Sequence, residues 1–253
     1  IISMIPAHRI YVEPFFGGGA VFFRKLPAEL EVINDKNDML INFYLQLQNA
    51  FPELQKRIQA TICSESLFRY AKDVWNGRIE ANDIEKAWAI WLITNGSFAG
   101  TMHGGWKWSN VSSGSHPGVM MRNKRMEFNE QLRQRVSTVQ ISCKEALRVI
   151  FDRDSVETFF YLDPPYPGCD QKHYSGYSHN DLYELLQLLS NIKGRFILSN
   201  FWSQTLRYHV LKNGWNVLNI EMNCNVNQLN RGHPVKKKNE ILVYNYQIPN
   251  TLF

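Results

Sequence analysis

The run Thr158-Phe159-Phe160-Tyr161-Leu162, followed at once by Asp163-Pro164-Pro165-Tyr166, constrains the fold more than any other stretch. A short apolar run of this kind reads as a buried strand. Each proline fixes φ and removes a backbone donor, so the strand cannot continue past Asp163. Similar β-prone runs recur at residues 10–12, in "LEVIND" ending on Asp35, in "VQIS" and in "RFILSNF". Between them lie helical patterns: residues 39–48, most of 50–94, "CKEALRVI" and "DLYELLQLLSNIKG". In the last of these Leu182, Leu185, Leu186 and Leu189 share one face, and Gly194 reads as the stop. "WNVLNIEM" and "NEILVYNY" read as two late strands. Strands alternating with helices predict an α/β fold with a mostly parallel sheet.

The 253 residues suffice for one large domain, or for one domain carrying an insertion. A composition of 44% hydrophobic and 20% charged residues supports a substantial core. No apolar run approaches the ~20 residues that span a bilayer. Cys63, Cys143, Cys169 and Cys224 form no CxxC pair, which argues against a zinc site and a disulfide framework and fits a reducing cytoplasm. A net charge of +5 leans mildly towards a polyanionic partner.

Within residues 50–139 the character changes twice. In "NDIEKAWAIWLIT", Ile84, Ala87, Trp88, Trp91 and Leu92 fall on one helical face, so the tryptophans read as core. Asn82 and Glu85 have the spacing of a helix-capping pair. "NGSFAGTMHGGWKWSNVSSGSH" then reads as a loop with a hairpin turning at Gly104-Gly105. Basic residues follow at Arg122, Lys124 and Arg125, and again at Arg231, Lys236, Lys237 and Lys238. A charge run is as often a solvated surface as a binding patch.

The corner at Asp163 offers acceptors. A parallel strand delivers its C-terminal residue to the ligand edge of its sheet. There the Asp163 carboxylate and the Pro164 carbonyl can take hydrogen bonds, Pro165 holds the turn, and Tyr166 presents a flat face for stacking. Two acceptors beside a stacking surface suit an exocyclic NH2 on a planar heterocycle, such as adenine N6 or cytosine N4. Such an amine is a weak nucleophile, and holding both N–H bonds turns its lone pair outward, so the catalysis is positioning and electrostatics. A base inside a duplex is out of reach and has to be flipped out. The plainer alternative is a proline-rich turn after a strand. "EPFFGGG" after the first strand reads as a glycine turn where backbone can approach a ligand, with a helix to follow over residues 20–25. Asp35, ending the second strand, suits ribose hydroxyls, although a lone aspartate there is more often a turn former.

"YVEPFFGGGAVFF", "INDKNDMLINFY", "FYLDPPYPG" and "ILSNF", in this order, resemble the Dam-type DNA adenine-N6 methyltransferases; "RGHPVKKKNEILVYNY" resembles their C-terminal loop and strand. The resemblance implies a Rossmann-like methyltransferase sheet with helices on both faces, formed by residues 1–49 and 140–253. Residues 50–139 would be an inserted, mostly helical target-recognition domain with a β-hairpin. S-adenosyl-L-methionine would be the cofactor, held by Glu13, Pro14, Phe15, Gly17, Gly19, Asp35, Glu145 and Asp163. Phe15, Gly17 and Gly19 would line its methionine end, and Glu145 stands where relatives carry an aspartate near the cofactor adenine. Asp163, Pro164, Pro165 and Tyr166 would be catalytic. Ser97, Thr101, Trp106, Arg122, Lys124, Arg125, Arg231, Lys236, Lys237 and Lys238 would contact double-stranded DNA. The resemblance implies no metal and no membrane, a monomer, and a cognate restriction endonuclease as one partner to look for. Relatives carry a Lys-Trp-x-Gly-Gly-Lys segment ahead of the glycine turn. The ten residues before Tyr11 lack it, and the sequence opens on Ile1 rather than Met, which leaves room for residues upstream. Two rivals stand beside this reading: a cytosine-N4 methyltransferase, whose relatives more often carry Ser at the Asp163 position, and a DNA-binding module with a decayed methyltransferase fold.

Overall fold

Seven strands among the described residues form one sheet: β1 (Ile10–Glu13), β2 (Leu30–Asn34), β3 (Gln140–Ser142), β4 (Thr158–Leu162), β5 (Arg195–Asn200), β6 (Asn216–Asn223) and β7 (Lys237–Tyr244). The structure is a computed structural model and describes residues 1–110, 116–167, 177–223 and 237–248. The strand order is β3-β2-β1-β4-β5-β7-β6. β1 pairs in parallel with β2 and β4, and β4 with β5. β7 enters antiparallel between β5 and β6. The order reverses between β1 and β4, and at such a switch point a crevice opens beyond the carboxyl ends of the strands.

By its contacts the chain divides into residues 1–36 with 144–253, and residues 37–143. The sequence puts the first boundary after residue 49. Helix α1 (Asp38–Asn49) instead belongs to the second unit, because it packs against α4 (Asp83–Gly96).

In the first unit, side chains alternate across the sheet. One face carries Val12, Val32, Phe160, Leu162, Phe196, Leu198, Ile241 and Val243, all buried. Three helices cover it: α7 (Ala146–Arg153) through Val149 and Ile150, α8 (His179–Leu189) through Leu182, Leu185, Leu186 and Leu189, and α9 (Gln204–Asn213) through Leu206 and Val210. Each leucine so buried contributes about 1.5–3 kcal/mol. α8 opens on a capping box, in which Ser178 Oγ accepts from Asp181 N and Asp181 Oδ2 accepts from Ser178 N. It stops at Leu189, ahead of Gly194. That glycine serves close packing instead, since a Cβ there would lie 2.9 Å from the Thr158 carbonyl oxygen and 3.1 Å from that of Ser155. The alternate positions, Tyr11, Glu13, Glu31, Phe159 and Tyr161, are also buried. Here Lys25 pairs with Glu31 and lies 4.2 Å over the Tyr11 ring. The helix expected after the glycine turn is replaced by successive turns over residues 18–25, held by bonds such as Phe23 N to Gly19 O.

In the second unit, α4 is buried at every position from 87 to 93, so it is a central helix rather than one with a single apolar face. Trp88 and Trp91 are core, and Trp88 Nε1 donates to Thr61 Oγ1 at 2.7 Å. Asn82 caps α4 by accepting from Glu85 N, while the Glu85 carboxylate turns away to Arg57 and Tyr70. Around α4 the unit carries α2 (Phe51–Gln59), α3 (Glu65–Trp75), α5 (Pro117–Glu127) and α6 (Glu130–Val136). The expected hairpin is reduced, among the described residues, to one antiparallel bridge, Ser97 with Trp106. Phe98 N to Gly105 O and Lys107 N to Gly96 O flank it, and a short 3-10 turn at Phe98–Gly100 uses the residues a longer strand would need.

Candidate active site

The carboxyl ends of β1, β2 and β4 meet at the switch point. After β1, Gly17 and Gly19 take φ of 50° and 63°. A Cβ on Gly19 would come within 2.6 Å of the Phe16 ring and 3.0 Å of Phe23, so a turn carrying three packed phenylalanines needs glycine here. Gly17 N donates to Asp35 Oδ2 at 2.9 Å, which fixes the carboxylate at the end of β2. Asn34 ties the region together. Its Nδ2 donates to the carbonyls of Pro14 and Lys144, and its Oδ1 accepts from Lys144 N, each at 2.9 Å.

A pocket opens at this edge, within the first unit. Pro14, Phe15, Asp35, Glu145, Asp163 and Pro165, all singled out in the sequence, line it. Lys36, Lys144, Ala146, Leu147, Tyr177 and Asp181 line it too, and sequence reasoning missed them. The first four of these adjoin Asp35 and Glu145 in sequence, which was the available signal; Tyr177 and Asp181 lie beyond a polar loop and gave none. Glu145 is the N-cap residue of α7, although its side chain makes no capping bond. The Tyr177 hydroxyl is buried and has no hydrogen-bond partner among the described residues. Glu13, Gly17 and Gly19 do not line the pocket; Gly17 acts on it through its bond to Asp35, which does.

Glu13 is 2% exposed, below the pocket rather than in it. Tyr11 Oη donates to it at 2.7 Å. Burial dominates and pushes its carboxyl up to about 8; the Tyr11 bond opposes the shift and the nearby Asp163 charge adds to it. Asp163 keeps solvent access at the floor of an open cleft, yet protein atoms crowd it. That crowding raises its carboxyl to about 6, with the Glu240 charge adding and the Tyr166 and Ser199 hydroxyls opposing. Pro164 is buried, and Pro165 and Tyr166 are half-buried. Tyr166 Oη lies 2.9 Å from Asp163 Oδ1, 2.9 Å from Ser199 Oγ and 2.5 Å from Glu240 Oε1. Burial foremost, then the Asp163 charge, drives the Tyr166 phenol well above its ordinary value. Its ring meets Phe201 edge-on at 4.7 Å.

The residues expected at DNA sit as follows. Arg122 and Lys124 are exposed on α5, with Lys124 paired to Glu127 at 2.6 Å. Arg125 turns inward, its Nη1 donating to the Gln59 carbonyl at 3.1 Å. Thr101 and Trp106 are half-buried. Ser97 is fully buried, because the bridge to Trp106 folds it under the loop. Phe98 and Trp108, which sequence reasoning did not select, are 47% and 67% exposed. Arg231 and Lys236 lie outside the described residues. Lys237 and Lys238 begin β7, and their side chains also lie outside what is described. Among the described residues no group of His, Cys, Asp and Glu could hold a metal ion, and no helix is long and apolar enough to cross a membrane.

The Type II methyltransferase M1.LlaDCHI of Lactococcus lactis subsp. cremoris is 28% identical over 255 residues, covering 93% of this chain and 86% of that protein. Two solved structures superpose loosely, each with a TM-score of 0.39. One is precorrin 8W decarboxylase, the product of gene MT0146 of Methanobacterium thermoautotrophicum, at 12% identity over 97% of this chain and 86% of that one. The other is precorrin-6y C5,15-methyltransferase from Geobacter metallireducens GS-15, at 9% identity over 96% and 81%. Superposition that loose carries no argument. A family model does: that of the D12 class N6 adenine-specific DNA methyltransferases matches residues 1–213, from before β1 through α9, and so takes in the glycine turn, Asp35 and the Asp163–Tyr166 corner. The chain belongs to the D12 class N6 adenine-specific DNA methyltransferase family.

Proposed function

We propose that the chain moves a methyl group from S-adenosylmethionine to N6 of an adenine flipped out of double-stranded DNA, by direct in-line attack of the amine. The observation that carries this reading is the Asp163 carboxylate at the pocket, at the carboxyl end of β4 and directly followed by Pro164, whose carbonyl is a second acceptor in the chain. Asp163 Oδ accepts one N6–H and Pro164 O the other, which aims the nitrogen lone pair outward. As the N–CH3 bond forms and the sulfonium–CH3 bond breaks, N6 must lose a proton. The Asp163 carboxylate, raised to about 6, is an oxygen suited to take it and release it to water.

The pocket suits such a donor. Asp35 offers acceptors for ribose hydroxyls, and Pro14, Phe15, Ala146 and Leu147 are apolar walls for a flat ring. The buried Tyr177 hydroxyl at the same pocket is a polar group that a ligand could satisfy. When bound, S-adenosylmethionine supplies an electrophilic methyl group on sulfur. Phe15 would wall it on one side, and Glu145, at the same pocket, could hold an adenine amine.

The second unit is read as the target-recognition unit. Exposed Arg122 and Lys124 would meet phosphate, and exposed Phe98 and Trp108 would sit against sugar or base. By analogy with the Type II relative, the chain would act in a restriction-modification pair with an endonuclease, as a monomer in the cytoplasm.

Labelled methyl transfer from S-adenosylmethionine to mixed-sequence duplex DNA, followed by nucleoside analysis, tests the reading. N6-methyladenine is the expected product. N4-methylcytosine would move the assignment to the other exocyclic amine, and no transfer with DNA binding intact would leave a binding module.

A further inference from the structure

Tyr166 Oη has three oxygen neighbours and one hydrogen to give. Glu240 Oε1 is at 2.5 Å, Asp163 Oδ1 and Ser199 Oγ at 2.9 Å, and Ser199 Oγ itself lies 2.5 Å from Glu240 Oε1. A phenol and a serine hydroxyl carry one hydrogen each, and a carboxylate oxygen has two lone pairs to receive them. The two shortest contacts converge on Glu240 Oε1, at a separation typical of O–H bonds to an anion. Once both hydrogens go to Glu240, the 2.9 Å approach of Tyr166 to Asp163 holds no hydrogen.

We propose that Glu240 is a positioning residue: it takes the phenolic hydrogen of Tyr166 and so leaves Asp163 Oδ1 open to the amine of the target base. The topology explains how a residue so remote in sequence reaches the corner. β7 pairs antiparallel with β5, matching Asn200 with Ile241 and Ser199 with Leu242, so Glu240 arrives one step beyond, at the carboxyl end of β5. Ser199, 2% exposed, relays between strand and carboxylate, and Phe201 holds the Tyr166 ring from its edge. Without Glu240, Asp163 is the carboxylate left within reach of the phenol. The phenol would then compete with the substrate N–H for the same oxygen. Among the described residues, Tyr161 and Glu13 are further ionisable groups beside this cluster, on the same face of the sheet.

This role rests on the reading of Asp163 as the amine acceptor, and a double-mutant cycle tests it. Glu240→Ala is expected to lower kcat about tenfold or more, with KM for S-adenosylmethionine unchanged. The same substitution made together with Tyr166→Phe is expected to change kcat by less than about twofold relative to Tyr166→Phe alone, since no phenol remains to be held. Glu240→Gln, which keeps an acceptor oxygen, is expected to recover most of the loss. Equal cost in both backgrounds overturns the proposal. Proton NMR of the full chain decides it independently of turnover. A strongly deshielded hydroxyl resonance, lost with Tyr166→Phe and with Glu240→Ala, supports the anchor. Its persistence in Glu240→Ala overturns it. A wild-type chain that shows this resonance but transfers no methyl keeps the anchor and sinks the reading of Asp163.

Discussion

Asp163 and Glu13 stand on the same face of the sheet, and their raised proton affinities have different consequences. On the proposed reading Asp163 can take the amine's proton only when ionised, so methyl transfer should fall as pH drops through about 6. A single-turnover pH profile checks this, and a flat profile across that range would sink the assignment. Asp163→Ala should abolish transfer while DNA affinity, read by filter binding, stays within a few-fold. Glu13 concerns stability. Its carboxyl rises from an ordinary 4.5 to about 8 on folding, so the native state binds a proton that the unfolded state releases. That contribution is complete below about 4.5 and is lost as pH climbs through about 8. Thermal melts should therefore show wild-type stability declining across this window and the Glu13→Gln decline shallower. At this scale the sequence was partly legible. Asp163, Asp35 and Tyr166 stand out because each ends a strand or follows prolines. Glu240 and Ser199 do not, since nothing in "NEILVYNY" or "ILSNF" says that the two strands become antiparallel neighbours. Glu13 is conspicuous beside the glycines, yet whether it points into a pocket or beneath it depends on strand alternation fixed only by the sheet.

The glycine turn is the element most sensitive to a single methyl group. Gly19→Ala must accept φ of 63° and a Cβ 2.6 Å from the Phe16 ring; destabilisation above about 1–2 kcal/mol is expected. Gly18→Ala meets nothing within 4 Å and should stay within about 0.5 kcal/mol. Urea unfolding of the two variants side by side makes the comparison. Strong periodicity was legible at this scale: the four buried leucines among the five of α8, and the unbroken burial of β4, follow from pattern alone. Weak local signals were not. "AVFFRK" reads as a helix, but its phenylalanines pack among themselves, with ring centroids 5.0 Å apart for Phe22 and Phe23, and the chain turns instead. The loop around Gly104 looked like a hairpin, but a Cβ there would lie 2.8 Å from the Phe98 carbonyl oxygen, so the glycine serves a tight fold of the loop rather than a pair of strands. α4 hides its surroundings: a helix buried all round and one buried on a single face share the same tryptophans.

For the whole molecule, the order of motifs conveyed the α/β class, while the division of contacts after Lys36 depends on how α1 packs, which periodicity does not report. DNA affinity belongs to this scale because it sums over many contacts. Arg122→Ala should weaken binding about equally on all sequences and lower the slope of log affinity against log salt by about one; a change confined to one sequence would instead mark Arg122 as a base reader. One more consequence lies in Asn34. Its amide bonds to both the N–H and the carbonyl of Lys144, so the chain leaves the sheet unit after Lys36 and returns at Lys144 beside its own point of departure. A segment whose two ends are stapled together can be exchanged for another of different length without stretching what remains. On the proposed reading, the Asn34 staple would let the helices between, from Asp38 to Val136, acquire a new target preference while β3 and the methyl-transfer corner are inherited unchanged.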